Sequence, residues 1–321
     1  MLSFLLSSHE KQPTLTDIDI PECASGQIRL RIGACGLNFA DLLMIEGKYQ
    51  DTPKVPFTMG MEVAGTIDTI GTGVTGFAPG DRVAVFGGKG GLAEYGVFDA
   101  ARAVKIPDSM SFEDAAAFQI AYGTSHLALD HRAHLQSGET LLVLGAAGGV
   151  GLTAVEIGKL MGATVIACAR GPEKLEVARQ AGADHLIDAR TEDIREAVLA
   201  LGGSDVVYDA VGGDQFTAAF RSCKPEARIL TIGFASGEVP QIKANHLLVK
   251  NLTVMGLYWG GYLTFRPEIL TGSLAQLFAW YDQKKIRPHV SHVLPLEEVA
   301  DGLALLRDRK STGKVVIRID G

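Results

Sequence analysis

The sequence predicts an α/β protein of two domains, one rich in short strands and one built on a parallel sheet flanked by helices. Three observations carry this. The chain has 321 residues, which is long for one core and comfortable for two. Up to about residue 120 it reads as short strands between glycine-rich turns, the pattern of a barrel or sandwich. From Thr140 onward strand and helix patterns alternate, as a parallel sheet with crossover helices requires.

In the first part, Ile28-Arg29-Leu30-Arg31-Ile32 alternates like a half-buried strand, and Val63–Ile67 does the same. Gly71 to Asp81 is dense in turn formers and leads into the strand Arg82–Phe86. The rhythm then changes. Glu113–Leu129 is Ala-rich and predicts a helix. Strands are expected at Leu141–Leu144, Ala163–Ala167, His185–Ile187, Asp205–Tyr208, Ile229–Ile232 and Leu252–Met255. Helices are expected between them at Leu152–Leu160, Glu173–Ala181, Ile194–Ala200 and Gln215–Phe220. The segment Leu274–Lys314 mixes both patterns.

Composition narrows the function classes. A hydrophobic fraction of 47% with 21% charged residues supports sizeable cores. A net charge of −7 argues against a broad nucleic-acid surface. Cys23, Cys35, Cys168 and Cys223 form no C-x-x-C pair, so neither a disulfide framework nor zinc spacing is expected, and a reducing compartment is. Met1–Ser8 is apolar but too short for a signal-peptide core and has no basic flank. No stretch approaches the roughly 20 uninterrupted apolar residues of a membrane span. The expectation is a cytoplasmic protein with no membrane and no nucleic acid among its partners.

One turn carries chemistry. The strand Leu141–Leu144 runs into Gly145-Ala146-Ala147-Gly148-Gly149-Val150-Gly151 and then a helix. This is a G-x-x-G-x-x-G variant of the dinucleotide fingerprint in the strand–turn–helix context that the fingerprint needs. A tight turn and close approach to a pyrophosphate both demand residues without a Cβ, and the helix start offers free N–H groups and a positive dipole end.

The next strand ends in Cys168-Ala169-Arg170-Gly171. An NAD-preferring domain places an acid there for the ribose hydroxyls. This chain has none at Ala169 or Arg170. It offers Arg170 and, on the first turn of the following helix, Lys174. A guanidinium fork and an ammonium suit a 2′-phosphate, so the expected cofactor is NADPH.

The motifs G-A-A-G-G-V-G-L, K-L-M-G-A-T-V-I-A and A-G-A-D-H-L-I-D resemble the medium-chain dehydrogenase/reductase superfamily. So do G-A-C-G-L-N-F-A-D, P-F-T-M-G-M-E-V-A-G and Gly80-Asp81-Arg82-Val83 nearer the start. The resemblance spans essentially the whole chain and is nearest to the quinone oxidoreductase branch that includes zeta-crystallin. It implies a GroES-like β-rich catalytic domain from residues 1–120 and 261–321, and a Rossmann doubly wound domain at 121–260. It also implies a homodimer, with Leu252–Tyr262 as the pairing segment.

Zinc-dependent members of that superfamily carry a Cys where this chain has Asn38, and a His where it has Met61. Their four-Cys lobe should follow Arg82-Val83, where this chain runs through Phe86–Gly91. The resemblance therefore implies no metal, and an acceptor electrophilic enough to take hydride without one. By resemblance Asn38, Asp41 and Tyr49 line the catalytic cleft. Asn38 would donate to a carbonyl oxygen, Asp41 would orient, and Tyr49 would donate a proton or stack on a planar ring.

Further cofactor positions follow from the same resemblance. Thr124 lies near the cofactor, and Gly233-Phe234 and Gly256-Leu257-Tyr258 follow strands that should meet the nicotinamide. Lys314 would reach the cofactor from the last segment. Arg190 stands close to where related reductases place a Tyr beside the adenosine phosphate. Three functions fit these residues: NADPH-dependent, zinc-independent quinone reduction, reduction of α,β-unsaturated carbonyls such as enones, haloacrylates or enoyl thioesters, and non-catalytic nucleotide binding.

Overall fold

The computed structural model describes residues 1–319. The chain divides into two compact units, Met1–Ile120 with Pro288–Gly321, and Ala121–Arg287.

The first unit begins with eight strands: β1 (Leu2–Leu6), β2 (Thr14–Asp17), β3 (Gln27–Leu37), β4 (Phe57–Thr58), β5 (Glu62–Ile70), β6 (Arg82–Phe86), β7 (Tyr95–Asp99) and β8 (Ala103–Lys105). A small antiparallel sheet has the order β2-β1-β4. The long β3 is the spine of the larger sheet. It pairs antiparallel with β5 and, over its first half, with β7. β5 then pairs with β6, and β6 with β8. Alternation along β3 buries Ile28, Leu30 and Ile32 and turns Arg29 and Arg31 outward.

The second unit holds six parallel strands: β9 (Thr140–Leu144), β10 (Thr164–Ala169), β11 (His185–Asp188), β12 (Ser204–Asp209), β13 (Cys223–Thr231) and β14 (Thr253–Gly256). Their order is β11-β10-β9-β12-β13-β14. This is the 3-2-1-4-5-6 order of a Rossmann domain, with its switch point where the chain crosses from one side of β9 to the other. β9 is buried from Leu141 to Leu144, as the central strand of a sheet covered on both faces must be.

The chain then returns to the first unit. β15 (Val290–Pro295) pairs parallel with β16 (Lys314–Arg318), which pairs antiparallel with the far half of β3. The chain thus re-enters the first unit at Pro288, later than the expected 261. The reason is the helix Pro267–Asp282. It buries Leu270, Leu274 and Leu277, places Ser273 Oγ 2.8 Å from His126 Nδ1, and sets Trp280 edge-on to His126 within the second unit.

The helix expected over Glu113–Leu129 is broken into Phe112–Ala116, Gln119–His126 and a π-helical turn Leu127–Arg132. At the restart the Ile120 N–H donates to Glu62 Oε2 at 3.0 Å, which satisfies a donor that a helix start leaves open.

Candidate active site

The turn after β9 has the geometry that its residues dictate. Gly145 has φ of +69°, and Gly148 N–H donates back to the Gly145 carbonyl at 2.9 Å. Gly148 is the N-cap of the helix Gly149–Leu160, so Ala147, Gly148, Gly149 and Val150 form its mouth. A Cβ on Gly151 would sit 2.2 Å from the Gly145 carbonyl oxygen, so the third glycine is fixed by close approach of backbone to backbone. No side chain caps this 12-residue helix. Its first N–H groups and the positive dipole end suit an anion.

Parallel register brings the other predicted segments to the same edge of the sheet. Leu144 is level with Cys168 and Asp209, and Asp209 with Thr231, which in turn is level with Gly256. Gly233-Phe234 therefore leaves β13, and Leu257-Tyr258 leaves β14, at the carboxyl edge that carries the glycine turn. Leu257 N–H donates to the Thr231 carbonyl at 3.2 Å, which ties these two exits together. Asp209 is buried, and its carboxylate takes the N–H groups of Val211 and Gly212 and so closes the turn after β12. Burial pushes its carboxyl up despite those bonds.

At the ends of β10 and β11 the cations gather. Arg170 and Arg190 are exposed, and Lys174 lies half-buried on the first turn of the helix Pro172–Gln180. The Arg190 guanidinium lies against Gly171: a Cβ there would meet Nη1 at 2.9 Å. Asp188 Oδ1 accepts from both the Gly171 and Arg190 N–H groups at 3.0 Å. Those bonds, from Arg190 first and then Gly171, hold the Asp188 carboxyl below the usual range. This carboxylate therefore shapes the turn that carries Arg190 and tempers the positive field around it.

Thr124 is buried on the helix Gln119–His126. Its neighbour Ser125 makes a connection that the sequence did not signal. Ser125 Oγ donates to the Val150 carbonyl at 2.8 Å and lies 3.0 Å from the buried Tyr208 hydroxyl. Thr153 Oγ1 lies 2.8 Å from the same Ser125 Oγ and donates to the Ala121 carbonyl at 3.0 Å. These hydroxyls brace the first turn of the glycine-started helix from beneath.

In the first unit, Asn38 ends β3's run and starts the helix Phe39–Ile45. Its amide Nδ2 donates to the Gly36 carbonyl at 3.2 Å and to Glu62 Oε1 at 3.0 Å. Lys314, expected at the cofactor, spends its ammonium inside this unit, on the Leu37 carbonyl (2.9 Å), Asn38 Oδ1 (2.7 Å) and Glu62 Oε1 (2.5 Å). Glu62 is fully buried, and its ammonium partner stands 252 residues away in the sequence.

Asp41 is buried, and its Oδ2 accepts from the Asn38 N–H at 2.8 Å, the backward half of a capping box. Oδ1 has no hydrogen-bond partner. Burial pushes the Asp41 carboxyl up to about 7, against the pull of the Asn38 N–H and Lys314. Tyr49 is half-buried. Burial, with Asp51 and Asp41 nearby, pushes its hydroxyl up to about 12, so it stays protonated in ordinary buffers.

Comparison with known proteins gives this geometry a family. Residues 24–108 match the alcohol dehydrogenase GroES-like domain, and residues 149–275 match the family described as zinc-binding dehydrogenase. The quinone oxidoreductase-like protein 2 homolog of Nematostella vectensis is 42% identical over 91% of this chain and 82% of its own length. The quinone oxidoreductase of Thermus thermophilus, whose structures include an NADPH complex, superposes with a TM-score of 0.87 at 33% identity, over 99% of this chain and all of that one. A mycobacterial protein solved with NADPH gives 0.92 at 28% identity, with the same coverage.

The chain belongs to the quinone oxidoreductase-like branch of the medium-chain dehydrogenase/reductase family. One matched family description implies zinc, and the residues do not fit it. An Asn amide whose oxygen already faces the Lys314 ammonium and a thioether at Met61 are poor zinc ligands. Glu62 is already paired with an ammonium, whose charge would oppose a second cation beside it. Among the described residues no group of three or more His, Cys, Asp and Glu side chains gathers to hold a metal.

Proposed function

We propose that this oxidoreductase binds NADPH at the glycine turn and reduces a quinone without a metal. The observation that carries the reading is the strand–glycine turn–helix at the carboxyl edge of the sheet, with Arg170, Lys174 and Arg190 rather than an acid beyond β10. The relatives solved with NADPH support the same cofactor.

When bound, NADPH supplies the hydride. The turn's N–H groups hold the pyrophosphate, and the three cations hold the 2′-phosphate. Gly233-Phe234 and Gly256-Leu257-Tyr258 offer backbone groups to the nicotinamide. With both Asn38 amide protons committed, the Tyr49 hydroxyl is the donor for the oxygen that gains charge, and its high pKa keeps its proton in place. Asp41 positions the Asn38 backbone. A quinone that receives hydride needs one further proton to reach the hydroquinone; water delivers it, while the Tyr49 hydroxyl keeps its own proton and hydrogen-bonds to the oxygen that gains charge.

We take the chain to work as a homodimer in the cytoplasm. β14 ends the sheet with an unpaired edge, and Leu248 and Val249 in the preceding helix are 77% exposed, apolar groups that a second copy would cover. No helix among the described residues is long and apolar enough to cross a membrane.

The test follows absorbance at 340 nm with metal-stripped protein, NADPH or NADH, and a panel of benzoquinone, naphthoquinone, a simple enone and an enoyl thioester. Oxidation of NADPH by the quinones, with NADH poor, is the expected result. Preference for the enone or thioester moves the assignment to conjugated-carbonyl reduction. Binding of NADPH with no turnover across the panel overturns the catalytic reading.

A further inference from the structure

The amide of Asn38 has only one possible polarity. Three neighbours face it, and each can play one part only. Lys314 Nζ is a donor, so the atom 2.7 Å from it is the oxygen. The Gly36 carbonyl and the Glu62 carboxylate are acceptors, so the nitrogen faces them. Rotating the amide by half a turn would set an N–H against an ammonium and an oxygen against a carboxylate. Each supporting charge is itself satisfied: the ammonium has three acceptors for three protons, and Glu62 Oε2 takes the Ile120 N–H.

Counting capacity gives the consequence. An amide nitrogen has two protons, and Asn38 has donated both within the protein. Its oxygen accepts two bonds, and Lys314 supplies one. Asn38 stays partly exposed. The one polar capacity it has left is a lone pair on Oδ1.

We propose that Lys314 and Glu62 are positioning residues that lock Asn38 as a hydrogen-bond acceptor toward the ligand. Asn38 thus recognises a hydroxyl or amide N–H group and does not polarise a substrate carbonyl. The assignment of Asn38 to the ligand rests on the proposed function, whereas the lock does not. A hydroxyl or N–H donor can come from the nicotinamide end of the cofactor or from the reduced hydroquinone. Lys314 serves the Asn38 amide, where the family resemblance implied a cofactor contact.

The test uses full-length protein labelled with 13C,15N-asparagine, in which the Asn38 side-chain signals are assigned by their loss in Asn38→Ser. In the free protein the two Nδ2 protons should exchange with water about tenfold more slowly than those of exposed asparagines, since both are bonded and shielded. Exchange at the exposed rate overturns the lock. NADPH alone is then added, and separately NADP+ with a benzohydroquinone. A downfield move of the Asn38 Cγ signal with NADPH alone assigns the donor to the cofactor. A move that needs the hydroquinone assigns it to the substrate. Saturable binding of both with no move overturns the acceptor role. Absence of NADPH binding sinks the proposed function and leaves the lock judged by exchange.

Lys314→Met should free the amide, raise Nδ2 exchange about tenfold and lower kcat/KM for benzoquinone by a similar factor, while Lys314→Arg recovers most of both. If Lys314→Met does not fold, Glu62→Asp is the second variant. It keeps the charge balance but withdraws the carboxylate from Nδ2, and the same direction of change is expected. Unchanged exchange and kcat/KM in a folded variant would overturn the proposal.

Discussion

The backbone at Gly151 faces the Gly145 carbonyl so closely that a Cβ would stand 2.2 Å from its oxygen. Any side chain at 151 must push the start of the helix away from the turn, and the N–H groups that would meet a pyrophosphate move with it. Gly151→Ala should therefore raise the NADPH dissociation constant by about tenfold or more, an effect of about 1.4 kcal/mol. A fluorescence titration measures it, and far-UV dichroism checks that the fold survives. Unchanged affinity would mean that the turn does not bind the cofactor.

This turn was legible in the sequence for a physical reason. Tight turns and close backbone approach admit few residue types, so Gly145, Gly148 and Gly151 advertise their geometry locally. The parallel sheet was legible in the same way, because buried runs such as Leu141–Leu144 repeat at helix-length spacing. What escaped was whatever depends on distant partners. That Glu62 and Lys314 pair with each other shows only when β16 is laid beside β3, since 252 residues separate them in the sequence. The helix Pro267–Asp282 carries no local sign that Ser273 will meet His126. Ser125, Thr153 and Tyr208 are ordinary residues that matter only because three elements converge.

The cations beyond β10 and β11 make a prediction about cofactor choice. Arg190 lies against Gly171, where the strand hands over to the helix that carries Lys174. If it grips the 2′-phosphate, Arg190→Ala should weaken NADPH by about tenfold and leave NADH almost unchanged, since NADH lacks that group. Arg170→Ala should act in the same direction. Paired titrations with the two cofactors read the ratio. Equal losses for both would show that the arginine supports the fold of the turn and not the choice of nucleotide.

The Glu62–Lys314 pair is buried on both sides, so breaking it and deleting it should differ. Glu62→Gln leaves an ammonium without its counter-charge and should cost about 3–5 kcal/mol in urea unfolding. Glu62→Gln with Lys314→Met removes the stranded charge, and much of that loss should return. A double variant as unstable as the sum of the two singles would show that the charges act independently, contrary to their 2.5 Å contact.

Asp41 should give the protein a stability that depends on pH through one identifiable group. Its folded-state carboxyl is raised to about 7, chiefly by burial, while in the unfolded chain it titrates near 4. Below the unfolded value both states hold the proton and the group is neutral to folding. As pH rises from about 4 toward 7, the unfolded chain releases its proton while the folded chain keeps it, so folding loses stability over that window. Above about 7 both states are ionised and the loss is complete. Asp41→Asn cannot ionise and still offers an oxygen to the Asn38 N–H. Wild-type stability relative to Asp41→Asn should therefore fall steadily between pH 4 and 7 and level off above. Urea midpoints of the two proteins across that range measure the difference. A flat difference would show that Asp41 ionises normally despite its burial, and that Lys314 and the Asn38 N–H hold its charge.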